Sequence, residues 1–233
     1  MVYNCLQKLR SMLYPPHCRL CLAPSQSPRD LCDDCRDELP WLQHTCPGCA
    51  LPLPAESTIS HCPECQKRPP QLDRCEALFA YRRPVDHWIQ QMKFHRDLTA
   101  ARLLGDLLAE TFPPDTIAMP VNILPVPLHR RRLAQRGYNQ SLEIARPLLD
   151  RGVPLAKGTF RRHKATRAQS DLPARLRHAN IRGAFSVAGP LEGQCILLID
   201  DVLTTGATLN ELARTLKHAG AVRVEARVIA RTL

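Results

Sequence analysis

The segment that most constrains the fold is QCILLIDDVLTTGAT, residues 194–208. Its first half is apolar at successive rather than alternate positions, which describes a strand covered on both faces, as in a parallel sheet between helices. TLNELARTLKHAG (208–220) then reads as a helix. Leu209, Leu212, Ala213 and Leu216 repeat at i, i+3, i+4 and i+7, Thr208 and Glu211 have the spacing of a capping box, and Gly220 stands where a C′ glycine belongs. The same order of elements occurs upstream, where the strand NILPVPL (122–128) precedes the helical NQSLEIARPLL (139–149), and VRVEARVIA (222–230) supplies a last strand. ALFAY (77–81) reads as a strand, PVDHWIQQMKF (84–94) as a helix opening at Pro84, and LTAARLLGDLLAE (98–110) as an amphipathic helix ended by Pro113 and Pro114. Strands alternating with helices predict an α/β fold, a parallel sheet flanked by helices with ligands at the carboxyl ends of its strands.

Asp200 and Asp201 fall where the apolar strand gives way to a loop. Adjacent carboxylates repel, so a cationic or polyhydroxyl partner is the natural compensation. Thr204, Thr205, Gly206, Ala207 and Thr208 follow, supplying hydroxyl donors and close backbone approach just before a helix N-terminus, which favours an anion. A plain strand-to-helix turn is the bland alternative, and the Gly-Lys-Ser/Thr of a Walker loop is missing from the segment. ILLIDDVLTTGAT (196–208) resembles the phosphoribosyl-pyrophosphate (PRPP) signature of type I phosphoribosyltransferases. That resemblance implies that Asp200 and Asp201 hold the ribose diol as the catalytic pair, and that Val202, Leu203, Thr204, Thr205, Gly206, Ala207 and Thr208 complete the PRPP loop around the 5′-phosphate.

The net charge of +10 is concentrated: residues 129–182 hold 14 Lys and Arg against three acids (14 − 3 = +11), and the rest of the chain holds 18 against 19 (18 − 19 = −1). Such a block attracts a polyanion, either nucleic acid or a pyrophosphorylated small molecule, although a solvated basic face has the same composition. PVPLHRRRLAQRGYNQS (125–141) opens it, its prolines fixing a loop from which Arg130, Arg131, Arg132 and Arg136 are placed to clamp a pyrophosphate. This segment, KFH (93–95) and NIRGAF (180–185) together resemble the ComF family over roughly residues 15–233. The resemblance implies an N-terminal zinc module ahead of a phosphoribosyltransferase-fold domain, and handling of single-stranded DNA in natural transformation or DNA utilisation. It carries Pro125, Val126, Pro127 and Leu128 over as the pyrophosphate loop, with Arg136, Gly137, Asn139 and Gln140 beside it; Tyr138 stands where Phe is commoner. RRHKATRAQSDLPARLRHAN (161–180) is compatible with a lid contributing Arg162, Lys164 or Gln169, with a nucleic-acid surface, or with a connecting loop.

Residues 15–70 are rich in Pro and Cys and are expected to form the zinc module, with residues 71–233 as the second domain. Cys18-x-x-Cys21, Cys32-x-x-Cys35, Cys46-x-x-Cys49 and Cys62-x-x-Cys65 are four knuckles of one spacing, enough for two tetrahedral Zn²⁺ sites. Sequential pairing (18/21/32/35 and 46/49/62/65) is the preferred arrangement, and spacing leaves cross-bracing (18/21/46/49 with 32/35/62/65) open. Ala50 stands where the family often has Gly, which puts a left-handed turn there in question. His17 and His61 are surplus to eight thiolates, and Cys5, Cys75 and Cys195 lie outside the pattern. His95 is a candidate ligand contact or, by base rate, a histidine bonded to nearby backbone.

Without a signal peptide or an apolar span, the expectation is a cytoplasmic protein without membrane insertion. The first functional reading is an enzyme binding PRPP with Mg²⁺, its acceptor unspecified by the sequence. The second is a nucleic-acid-binding factor whose PRPP site is regulatory or vestigial, with Tyr138, Trp41 and Trp88 as candidate stacking residues. The third is a scaffold docking other DNA-uptake proteins, which would not need the acidic pair.

Overall fold

The computed structural model describes residues 17–25, 29–55, 60–113, 121–164, 181–189 and 191–233. It divides into two compact units, Met1–Pro40 and Trp41–Leu233. Knuckles one and two lie in the smaller unit and knuckles three and four in the larger. In the smaller unit the short helix α1 (Asp33–Asp37) starts directly after Cys32.

The larger unit opens with the short helix α2 (Pro63–Lys67) and is built on strands β1 (Arg74–Ala80), β2 (Asn122–Pro125), β5 (Cys195–Leu203) and β6 (Arg223–Arg231). They form one sheet in the order β1-β6-β5-β2, parallel at every pairing. Helices α3 (Val85–His95), α4 (Leu98–Thr111), α6 (Gln140–Asp150) and α7 (Ala207–His218) follow the periodic stretches of sequence closely. Ile196, Leu197, Leu198 and Ile199 of β5 are all within 1% of complete burial, as a strand covered on both faces requires. None of the described helices is long and apolar enough to cross a membrane.

Several local expectations change. The β5 ladder continues through Asp200 opposite Val228 to Leu203 opposite Arg231, so the acidic pair sits within the paired strand rather than in the loop. The capping box is not formed. Gly206 is the N-cap of α7 in a left-handed conformation (φ 76°), and Glu211 instead accepts from the Gly183 amide and from Arg214. Gly220 does take the left-handed conformation after the helix, at φ 102°. The basic segment after β2 forms helix α5 (Arg130–Arg136), and β3 (Thr159–Arg162) pairs antiparallel with β4 (Phe185–Ala188), covering parts of the sequence that carried no periodic apolar signal. Of 161–180, residues 165–180, with Gln169, lie outside the described residues, as does Cys5.

Knuckle three is continuous with the sheet. The Cys75 amide donates to the Pro47 carbonyl (2.7 Å), the Leu42 amide to the Leu78 carbonyl (2.8 Å), and Ala50 joins the core cluster of Leu72, Cys75 and Ala77. Ala50 is fully buried at φ 55°, so the left-handed turn exists without the glycine that would form it most easily, at a cost of about 1–2 kcal/mol. Leu22, after knuckle one, has the same conformation at φ 62°.

Candidate functional site

Sequential pairing is the arrangement the cysteines adopt. Cys18, Cys21, Cys32 and Cys35 form one group and Cys46, Cys49, Cys62 and Cys65 another, with the sulfurs of each within 4.8 Å of one another. Two separations test the fit to zinc. Cys21 and Cys32 sulfurs are 3.7 Å apart, and those of Cys49 and Cys62 are 3.5 Å apart. A disulfide needs about 2.05 Å, whereas sulfurs about 2.3 Å from a shared tetrahedral ion stand just under 4 Å apart, so the tetrads match zinc ligation. Backbone amides also point at sulfur, Leu20 to Cys18 (3.4 Å) and Cys62 to Cys46 (3.3 Å), as suits thiolate ligands. His17 and His61 belong to neither tetrad. Burial pushes the Cys75 thiol up to about 12, which makes it an un-ionised core side chain, and Cys195 is likewise buried.

The larger unit holds a second feature, a cavity of about 860 Å³ at the carboxyl ends of β2 and β5. Topology builds it. Because β2 pairs parallel with β5, placing Pro125 opposite Ile199, the chain leaving β2 runs beside the acidic pair, and the Val126 amide donates to the Ile199 carbonyl (3.0 Å). Asn139 fastens that loop to the next helix: its Nδ2 donates to the Val126 carbonyl (3.1 Å) while its Oδ1 caps α6 through the Ser141 amide (3.0 Å).

Each acid has its own partner. Asp200 accepts from the Ser141 hydroxyl (3.0 Å) and from the Asp201 amide (3.0 Å), and Asp201 is 2.8 Å from the Lys93 ammonium near the end of α3. Burial, then the neighbouring Asp201 charge, push the Asp200 carboxyl up to about 7. At neutral pH Asp200 is therefore about half protonated, and the Lys93 ammonium beside Asp201 balances charge on the pair.

From these acids the cavity wall continues to Thr204, Gly206 and Thr208 at the N-terminus of α7, whose first amides lack intrahelical partners. Val126, Leu128, Arg132, Arg136 and Gln140 face them. Gln140, also in the lining, is 1% exposed and its Nε2 has no acceptor among the described residues, a buried donor left unsatisfied at the cavity wall. Arg162, on β3, adds a buried cation. Burial, reinforced by Arg132 and opposed by Asp200, holds it down at about 10, still charged at neutral pH.

Of the residues expected in the site, Val202 and Leu203 also line the cavity. Pro125, Pro127, Thr205 and Ala207 do not: Ala207 packs in the core, and the Thr205 hydroxyl accepts from the Ala207 amide (3.4 Å). Arg130 and Arg131 are exposed and outside the lining, as is His95. Lys93, Phe94, Ser141 and Tyr81 were not singled out by sequence reasoning. KFH marked a resemblance without revealing that Lys93 faces Asp201.

Behind the loop, Arg231 at the end of β6 is 8% exposed. Its guanidinium donates to the carbonyls of Leu203 (3.2 Å), Thr204 and Thr232, and to that of the metal-site residue Cys49 (2.9 Å). One side chain thus joins the second cysteine tetrad to the backbone of the candidate phosphate loop.

A polyhydroxyl anion suits this arrangement: carboxylates for hydroxyls, a helix N-terminus for a phosphate, and arginines for further charge. Residues 9–76 match the double zinc ribbon domain family and residues 136–232 the phosphoribosyl transferase domain family. The chain is 33% identical over 225 residues to the DNA utilization protein YhgH of Salmonella typhimurium, covering 94% of this chain and 98% of that one. It is 32% identical over 225 residues to competence protein F of Haemophilus influenzae (92% and 95% covered), and 27% identical over 194 residues to competence protein ComFC of Bacillus subtilis (82% and 79%). With both domain families in order and similarity along nearly its whole length, the chain belongs to the ComF family of double-zinc-ribbon, phosphoribosyltransferase-domain proteins.

Proposed function

We propose that the cavity binds PRPP and that this protein is a cytoplasmic factor of phosphoribosyltransferase type, acting on single-stranded DNA during its uptake or utilisation. The observation carrying this reading is the convergence, through β2–β5 pairing, of the acidic pair, an α-helix N-terminus and the Arg132/Arg136/Gln140 wall on one cavity. Asp200 and Asp201 accept the ribose hydroxyls, Lys93 yielding part of its contact with Asp201. The α7 amides with Thr204 and Thr208 take the 5′-phosphate. Arg132, Arg136 and Arg162 compensate the pyrophosphate, and Gln140 donates to it. The acidic pair also offers hard oxygen donors that fit Mg²⁺, which when bound neutralises charge on the departing pyrophosphate. Transfer to an acceptor at the anomeric carbon requires charge stabilisation rather than a protein nucleophile, in keeping with the un-ionised, core-bound Cys75. The zinc tetrads are structural in this reading, closed by four thiolates each.

The Lys93–Asp201 ion pair favours a second reading, in which PRPP is sensed rather than consumed, because the acidic pair is already compensated within the chain. Pyrophosphate release in the presence of PRPP, Mg²⁺ and a panel of free bases and single-stranded DNA separates the two. Release dependent on one acceptor establishes the enzyme; tight PRPP binding with no release across the panel establishes the sensor; absence of both removes the proposal.

A further inference from the structure

The aromatic residues that looked suited to stacking are committed elsewhere. Trp88 is 3% exposed in the core, Trp41 packs against the Phe79 ring with centroids 4.5 Å apart, and the Tyr138 hydroxyl is bonded to the Met92 carbonyl. Phe94 has the opposite character. It is 70% exposed, yet its side chain lines the rim of the cavity, one residue beyond the lysine that contacts Asp201. Full burial of such a ring is worth about 1.5–3 kcal/mol, most of it not gained in the described fold at this exposure.

The ring is held by an anchored turn. Tyr138 ties down the preceding residue but one, and the Arg96 and Asp97 amides both donate to the Gln91 carbonyl, with Arg96 in a left-handed conformation at φ 57°. Its surroundings are cationic: the Arg136 guanidinium carbon is 5.9 Å from the ring centroid, and Arg96 and Arg132 line the same wall. A solvent-facing aromatic ring on an anchored turn, among guanidiniums, suits a ligand with a planar face and backbone phosphates. A peptide would use the ring without needing the charges, and a free phosphate would use the charges without needing the ring.

We propose that Phe94 is a stacking platform for a nucleobase of single-stranded nucleic acid, with Arg96 and Arg136 on the adjoining phosphates. The strand is thereby held at the mouth of the cavity, beside the sugar site. The inference deepens the proposed function, resting on it for the sugar site beside the strand and for single-stranded DNA as the strand's source. Base stacking is worth about 1–3 kcal/mol per base and tolerates any sequence, so the platform grips a strand without reading it.

Anisotropy of a labelled oligothymidylate, without PRPP, tests this with wild type, Phe94→Ala and Phe94→Trp. Phe94→Ala is expected to weaken binding by about 5-fold to 150-fold. Phe94→Trp is expected to restore binding and to show indole quenching by the strand above the Trp41 and Trp88 background. An abasic strand of equal length is expected to bind wild type and Phe94→Ala alike. Equal oligothymidylate affinity for wild type and Phe94→Ala overturns the proposal, as does an abasic strand that binds wild type as tightly as oligothymidylate, or no binding by wild type. Parallel PRPP titrations keep the claims separate: PRPP binding without oligonucleotide binding removes this inference alone, and the reverse removes the PRPP reading alone.

Discussion

Burial and Asp201 push the Asp200 carboxyl up to about 7, while Lys93, the Asp201 amide and the Ser141 hydroxyl pull it the other way. The folded state therefore holds a proton that the unfolded chain, with an ordinary carboxyl near 3.8, has released. Stability then falls as pH rises from about 4 to about 7, the loss being complete above the folded value. Asp200→Asn is expected to be more stable than wild type at pH 8, on the order of 2–4 kcal/mol, with the difference closing below pH 4, as thermal melts across pH will show. A variant no more stable than wild type at pH 8 contradicts the burial argument. The ligand side has the opposite sign, since a protonated Asp200 accepts hydroxyl hydrogens poorly. Below pH 7, PRPP affinity should fall by up to about tenfold per pH unit in wild type, beyond any trend seen in Asp200→Asn, which corrects for titration of the ligand's own phosphates. At this scale the sequence showed the acids and Gln140, because they sit in recognisable motifs. Lys93 and Ser141 were hidden because their roles come from helices brought to the strand end by tertiary packing.

Among the elements, the long periodic helices and the apolar strands were legible because a buried face writes a period into the sequence. Helix α5 has no buried residue, being held by the His129 cap, whose ring nitrogen accepts from the Arg131 amide, and by a left-handed Gly137, so RRRLAQR read as a loop. The capping box failed because Gly206 already provides the turn into α7, and Glu211 is drawn to Arg214 and the Gly183 amide. Two contacts between elements are testable. A Cβ on Gly105 of α4 would lie 2.5 Å from the Ile144 carbonyl of α6. Gly105→Ala is thus expected to destabilise by about 1–3 kcal/mol in urea unfolding, reversing the gain of about 1 kcal/mol that helix propensity alone assigns. Removing Arg231 strips donors from the carbonyls of Cys49, Leu203 and Thr204. Arg231→Ala should lose about 2–4 kcal/mol in urea unfolding and bind PRPP several-fold more weakly, the phosphate loop being less fixed. Unchanged PRPP affinity would show that the loop holds its shape without that link.

For the molecule as a whole, the α/β class, the presence of two four-cysteine sites and the basic block were readable because each depends on composition or spacing over many residues, whereas spacing left the pairing of the knuckles open until the fold brought them together. Continuity of the second tetrad with the sheet was not, since Ala50, Cys75 and Arg231 meet only in three dimensions. The purified protein is expected to carry two zinc ions per chain by elemental analysis, falling to one when Cys46 and Cys49 are both replaced by Ser, a change that also lowers the melting temperature of the larger unit. A single zinc in the unaltered protein would contradict the two-tetrad assignment. The most direct test of the central claim is calorimetric titration of PRPP with Mg²⁺ into wild type and into Asp200→Ala/Asp201→Ala. Saturable one-to-one binding by wild type, lost or weakened at least about 100-fold in the double variant, is the predicted result, equivalent to roughly 2.7 kcal/mol or more from the acidic pair. No heat in wild type, or equal affinity in both proteins, would contradict it.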